Sequence, residues 1–199
     1  MSEAGLVVET AKSEHTAALL ELFERACTNC YCQYWAFQGN KNAWLERLFQ
    51  QGELNRDAFT RDLASGQLVG MVALEGSRAV GWMKLRAAEA VPKIYEQRLY
   101  KGLPCFSGPR AGVHTIGCFL VDEERRRQGI ARELVVAGIR AAKTAGATAI
   151  EALPRRSENA SSAELWVGPS QIFIEAGFEV VNDFGPYPVL RYDLAGKTA

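Results

Sequence analysis

Residues 113–121, VHTIGCFLV, are apolar almost throughout and end at a block of charge, DEERRR, that leads into Gly129. A strand of that composition is buried on both faces. The next segment, GIARELVVAGIRAAKTAG (129–146), places Ile130, Leu134, Gly138, Ala141 and Ala145 on one helical face, and Gly146 can end it. Residues 147–154, ATAIEALP, again read as a strand. Strand, helix and strand in succession call for a parallel pair with a right-handed crossover, which makes the chain α/β at its centre.

The remaining segments fit around that unit. LVVETAK (6–12) alternates like a strand, and SEHTAALLELFERACTNC (13–30) continues as an amphipathic helix with Ser13 as its N-cap. Helical pieces broken at Gly39-Asn40 and Gly52 come next. LVGMVALEGSRAVGWMKLRA (68–87) is two apolar runs around Glu75-Gly76-Ser77, the pattern of a hairpin. VPKIYEQRLYKGLPCFSGPRAG (91–112) reads as a short helix followed by a Gly/Pro-rich loop. A short helix near 168–176 and the pair GFEVVND and YPVLRYDL close the chain with a second hairpin. No repeat, low-complexity tract or linker interrupts this order, so residues 1–199 are expected to form a single domain.

Charge narrows the function classes. The chain carries 23 basic and 23 acidic residues, so nothing draws it as a whole to nucleic acid or to an anionic membrane. No apolar run approaches the roughly 20 residues of a membrane span, and the N-terminus lacks the basic-then-apolar order of a secretory signal. Five cysteines, an odd number, do not read as a disulfide framework. The expectation is a reduced, cytoplasmic protein, monomer or homodimer, with no nucleic-acid or membrane partner. Cys27, Cys30 and Cys32 crowd into CTNCYC, but a structural metal wants two spaced ligand pairs, and no metal is expected. A redox or metal sensor built on CTNCYC is the reading that would make use of them.

Any anion site must then be local, and Arg125, Arg126 and Arg127 mark where. A helix start already exposes unpaired N–H groups and the positive end of a dipole. Small residues at Gly129 and Ala131 let phosphates approach the backbone, and arginines add charge-assisted contacts. Two other phosphate motifs can be set aside. GxGxxG is absent, and the GKT at 196–198 lacks the upstream glycine and the following helix of a P-loop. The plainer reading of the same residues is a solvated charge run leading into a surface helix.

RRQGIA (126–131) resembles motif A, (R/Q)-x-x-G-x-(G/A), of the GCN5-related N-acetyltransferase (GNAT) superfamily. FIEAGFEVV (173–181) is similar to that superfamily's late helix and its GF turn. CYCQYW (30–35), together with CFLVDEERRRQGIA and the EALP strand, resembles a bacterial branch marked by a Cys-x-Cys-x-Tyr-Trp segment. The resemblance implies a mixed, mostly antiparallel sheet of about six to seven strands, flanked by helices, whose parallel fourth and fifth strands splay apart. It implies acetyl-coenzyme A as cofactor, with Phe119, Leu120 and Val121 along the pantetheine and Arg126, Arg127, Gln128, Gly129, Ile130, Ala131 and Arg132 around the pyrophosphate. The implied activity is acetyl transfer to a primary amine of a small molecule or peptide, in a ternary complex. The alternative is a non-catalytic acyl-coenzyme A-binding regulatory module.

Such chemistry needs a deprotonated amine, an oxyanion donor and a proton for the departing thiolate. The resemblance supplies a main-chain N–H near Phe119 for the oxyanion. Glu151, a carboxylate inside the apolar TAIEALP, is the expected base, because apolar surroundings raise a carboxyl's pKa toward neutrality. Its other reading is a solvent-facing side chain or an ion pair with Arg155 or Arg156. The tyrosine that usually serves as acid falls at Phe173 and a cofactor-contacting asparagine at Trp166, so the acid is sought among Cys118, Ser170, Tyr187 and Tyr192. Strict alternation would put Cys118 on one face with His114, Ile116 and Leu120, yet His114 lies roughly 13 Å along the strand, too far for a pair. Cys118 otherwise reads as a small core hydrophobe. Tyr31, Tyr34, Trp35 and Trp82 are expected either to line the acceptor pocket or to pack in the core.

Overall fold

In the computed structural model, which describes residues 5–156 and 166–194, the chain opens with β1 (Leu6–Thr10) and α1 (Thr16–Arg25). A helical pair follows, α2 (Lys41–Gln50) and α3 (Gly52–Ala64). The hairpin β2 (Gly70–Glu75) and β3 (Arg78–Ala87) turns at Gly76, whose φ of 60° suits glycine. After α4 (Pro92–Glu96) come β4 (Val113–Val121), α5 (Ile130–Thr144) and β5 (Ala149–Ala152). The chain closes with α6 (Ser170–Glu175), β6 (Glu179–Asn182) and β7 (Val189–Asp193). The GKT at 196–198 lies outside the described residues.

Seven strands form one sheet in the order β1-β2-β3-β4-β5-β7-β6. Every neighbouring pair is antiparallel except β4 and β5, which run parallel on either side of the α5 crossover. Their pairing is short. It runs from Val113↔Ala149 to Ile116↔Ala152, after which β5 ends while β4 continues for five more residues to Val121. The sheet therefore parts along the C-terminal half of β4, where open α/β sheets place their ligands.

Two cores sit on opposite faces. On one, α5 buries Ile130, Leu134, Val135 and Ala142 against Met83, Leu85, Ile116, Ile150 and Ala152, with Phe173 and Phe178 from the α6 region. A fully buried leucine such as Leu134 contributes about 1.5–3 kcal/mol by leaving water. On the other face, α1 and α3 bury Leu19, Leu22, Phe23, Phe59 and Leu63 against Val72, Trp82 and Cys118. A third cluster, with Trp35, Val91, Ile94, Tyr100, Leu153 and Val189, roofs the sheet with the segment between β3 and β4.

Strict alternation fails in β4. Lys84 pairs with Cys118, but its neighbour Leu85 pairs with Ile116, leaving Gly117 as a supernumerary residue. The side chains change faces there: Ile116 packs toward α5, Cys118 toward α1, and Phe119 and Val121 return to the α5 side. Cys118 thus does not share a face with Ile116, contrary to the simple period-two expectation.

Candidate active site at the parting of strands four and five

The turn between β4 and α5 is fastened from below. Asp122 accepts from Arg25 Nε (3.0 Å), Arg78 Nη2 (2.9 Å) and the Glu124 amide (3.2 Å), and Arg125 grips Glu75 at 2.8 and 3.0 Å. One of the three clustered arginines is therefore structural. Arg126 leans on the Val121 carbonyl at 3.4 Å, while Arg127 and Gln128 are exposed. Arg132 pairs with Glu175 at 3.4 Å.

Backbone conformation gives the turn its character. Arg127 holds φ of 61° and Gly129 φ of 82°, two left-handed residues with one between them. For arginine this conformation costs about 1 kcal/mol, and strain of that kind collects at sites of function. Alternating handedness of this sort turns successive N–H groups toward a common point, where an anion can sit. Among the described residues no side chain caps the α5 start at Gly129, and a Cβ built on Gly129 would meet nothing within 4 Å. The Arg132 amide closes on the Gly129 carbonyl at 2.9 Å.

Along β4, the amide of Phe119 donates to the Trp166 carbonyl at 2.7 Å. This corrects the expectation of a free oxyanion donor at Phe119: residues 166–169 return into the gap and engage it. Gly168, with φ of 83°, lets the turn lie against the Phe119 and Phe173 rings. Alternation turns the Val121 amide to the same side as that of Phe119. Phe173, at the position where a tyrosine was sought, is fully buried against Phe119 and Phe178.

Glu151 is 0% exposed, yet its surroundings are polar. Arg110 binds it with both terminal nitrogens, Arg191 Nη1 reaches Oε1 at 3.0 Å, and the Tyr95 hydroxyl donates to Oε2 at 2.9 Å. Tyr95 also hydrogen-bonds Thr115 on β4, and burial, then the Glu151 charge, hold its phenol above the usual range. The apolar setting expected for a base is absent, and the ion-pair reading holds with different partners from Arg155 and Arg156. A carboxylate whose oxygens are shared among two guanidiniums and a phenol is a structural anchor. It ties the 91–112 segment to the sheet.

The cysteines also need correction. Cys32 and Cys118 form a disulfide, with Cα atoms 6.6 Å apart. Cys118 therefore has no thiol proton to donate, and the expectation of five free thiols fails for this pair. The bond fastens the 27–37 loop to β4 one residue past Gly117. Lys84 Nζ, 2% exposed, donates to the Cys32 carbonyl at 2.8 Å and lies 3.7 Å from Asp62, and burial lowers its pKa to about 8. Trp35 Nε1 donates to the Gly117 carbonyl at 3.2 Å. Cys27, Tyr31 and Cys32 all hold positive φ, so this loop keeps its shape against local preference.

These fastenings shape a cavity of about 530 Å³ beside Ile116 and Gly117, where β4 leaves β5. Trp35 lines it as expected. Tyr31 and Trp82 do not, because both are buried with Phe23 and Phe59 in the core. Tyr34 packs between Trp35 and Trp44 behind the wall. Gln97, Tyr100, Leu153, Arg155, Trp166 and Tyr187 also line it, and none of them was among the residues expected at an acceptor pocket. Trp166, 40% exposed, stacks on Trp35 with ring centroids 5.6 Å apart. Burial raises the Tyr100 phenol to about 12, helped by neighbouring Tyr187.

The sequence profile of the Acetyltransferase (GNAT) family matches residues 16–167, and the chain belongs to that family of acetyltransferases. Its fold is shared by the YncA putative acetyltransferase from Salmonella typhimurium, solved with acetyl-CoA, at 15% identity and a TM-score of 0.56, covering 98% of this chain and 97% of that one. A GCN5-related N-acetyltransferase from Kribbella flavida superposes with a TM-score of 0.55 at 19% identity, covering 95% and 98%. PaiA N-acetyltransferase from Thermoplasma acidophilum, solved with coenzyme A, gives 0.53 at 12% identity, covering 95% and 99%. Among curated proteins, none matches this chain. Among the described residues no helix is long and apolar enough to cross a membrane.

Proposed function

We propose that the chain is an acetyl-coenzyme A-dependent N-acetyltransferase that moves an acetyl group directly to a primary amine while both substrates are bound. The observation that carries this reading is the α5 start: uncapped, strained at Arg127, open above Gly129, and set at the mouth of the β4/β5 parting. The first-turn amides, with Arg126 and Arg127, would hold the pyrophosphate. Acetyl-CoA in one structure with the same fold and coenzyme A in another support the assignment. When bound, it supplies the activated thioester and leaves as a thiol.

The chain's own groups do the rest. The Val121 amide, turned to the open side, would align the pantetheine. The cavity between Trp35, Tyr100 and Trp166 would hold the acceptor and exclude water. The amine would react as its free base. Tyr100 lines the cavity with Tyr187 and carries a hydroxyl, which supports it as the group that would return a proton to the thiolate. Glu151 acts as a positioning residue, through Tyr95 and Arg110.

The test is thermal. Coenzyme A should raise the melting temperature of the wild-type protein, and Gly129→Glu should abolish that protection, because a carboxylate in the cradle repels phosphate; affinity should fall on the order of 10³-fold. Equal protection of both proteins would displace the cradle. A second reading is favoured by the engaged Phe119 amide and the buried Phe173: the fold holds an acyl-coenzyme A and transfers nothing. Mass spectrometry after incubation with acetyl-coenzyme A and an amine library separates the two. Tight coenzyme binding with no acetylated product selects the second.

A further inference from the structure

Beyond Ile116, β4 no longer has β5 beside it, and that edge carries main-chain donors. The Asp122 amide turns back to the Val80 carbonyl on β3 at 2.9 Å, so the Val121 and Phe119 amides point the opposite way, into the gap. An edge of this kind takes an extended chain as an added strand. The arm of an acyl-coenzyme A is such a chain, with amides and a thioester carbonyl in a row. Here the protein's own backbone stands in for it. The Trp166 carbonyl accepts from the Phe119 amide at 2.7 Å, and Pro169 bridges in parallel to Arg155 just past the end of β5. Trp166 itself is 40% exposed and stacks on Trp35. A neutral hydrogen bond and a half-exposed ring stack are contacts that a ligand making its own can replace. Gly168 holds φ of 83°, and a Cβ there would come within 2.9 Å of the Phe119 ring and 3.0 Å of the Phe173 ring, so the docked turn favours glycine. Trp166 and Val167 also line the acceptor cavity, so one turn touches both sites.

We propose that the 166–169 turn is an autoinhibitory strap. Docked, it occupies the Phe119 amide; the thioester-bearing arm displaces it, the amide is freed for the thioester carbonyl, and Trp166 leaves Trp35. The inference rests on the reading of the α5 start as a coenzyme A cradle. It makes the engaged Phe119 amide a resting state, and it ties entry of the coenzyme to the shape of the acceptor cavity through Trp166. The diphosphate is held elsewhere, by the α5 turn, so the strap acts on the arm and not on the nucleotide.

Calorimetric titration of the full-length protein with two probes separates strap from cradle. One is coenzyme A; the other is ADP phosphorylated on its ribose as in coenzyme A, which keeps the diphosphate and lacks the arm. In the wild type the docked strap weakens coenzyme A alone, by the fraction of molecules in which it is closed. Gly168→Ala, which crowds the docked turn against Phe119 and Phe173, should bind coenzyme A about tenfold tighter and the nucleotide with unchanged affinity. Trp166→Ala should tighten coenzyme A about threefold, and its half-exposed side chain keeps the test open should the glycine variant fail to fold. Merely structural damage would weaken both probes instead. Saturating coenzyme A should also shift the tryptophan emission of the wild type, by taking Trp166 off Trp35, and the nucleotide should not. Coenzyme A binding that is equal or weaker in both variants, or an emission that stays unchanged, overturns the strap. If neither probe binds any of the proteins, the cradle reading falls and the strap with it. If the nucleotide binds all of them alike while coenzyme A gains nothing, only the strap falls.

Discussion

The two sides of β4 are built by different means. On the α5 side the cradle is main chain: amides of one turn, two left-handed residues, and space that a glycine leaves open. On the α1 side the cavity is side chain, drawn from the 27–37 loop, the 91–112 segment, the end of β5, the 166–169 turn and the β6–β7 connection. Main-chain recognition needs few particular side chains and suits an invariant diphosphate. Side-chain recognition can be rewritten residue by residue, and needs fastening because its pieces have no common backbone. The disulfide, Lys84, Asp62 and the Glu151 cluster are those fastenings.

Three experiments press on this division. The largest expected effect comes from the crosslink, which joins residues 86 apart in sequence. Reduction should lower stability by about 3 kcal/mol, read from urea midpoints with and without dithiothreitol, and Cys32→Ser should match the reduced wild type. Protection by coenzyme A should survive reduction, since the cradle shares no fastening with the loop. An unchanged midpoint would mean that the two thiols are not joined in solution.

Next comes Glu151→Gln, which takes the buried anion from Arg110 and leaves Arg191 with Asp193. Both are partly exposed, so the expected loss is about 2 kcal/mol, less than for a fully buried pair. If Glu151 is an anchor, turnover drops through a raised acceptor KM, and the shape of the pH–rate profile is kept. Disappearance of the acidic limb would instead return Glu151 to the role of base.

The smallest effect is expected for Tyr100→Phe, a fall in kcat of about tenfold with KM little changed, because Tyr187 stands beside it. A phenol with a pKa of about 12 stays protonated from pH 6 to 10, so its loss should scale the profile without moving either limb. Full activity in the variant would exclude Tyr100 as proton donor.

The same division explains what could be read in the sequence. The candidate cradle is contiguous, so RRQGIA beside an apolar strand and a small-residue helix can be read as one turn. The parallel β4/β5 pair followed from strand–helix–strand order, and the hairpins from Gly76 and from the GF turn. The acceptor side was hidden by distance along the chain. Nothing local in TAIEALP points to Arg110, 41 residues before Glu151, or to Arg191, 40 after it. The 91–112 segment read as a short helix and a Gly/Pro-rich loop, with nothing in it to say that Tyr95 and Arg110 reach Glu151 or that Tyr100 lines the cavity. One signal was present and unused: a glycine in mid-strand, at Gly117, often marks a bulge, and a bulge there would have moved Cys118 to the face that Cys32 approaches.

That single extra residue has a wider effect. A regular strand would keep Ile116 and Cys118 on one side. The extra residue at Gly117 instead sends Ile116 into the α5 core and Cys118 into the α1 core, where it meets Cys32. Deleting that one glycine would turn half of the strand over and carry Cys118 away from its partner, so the crosslink would be lost with it.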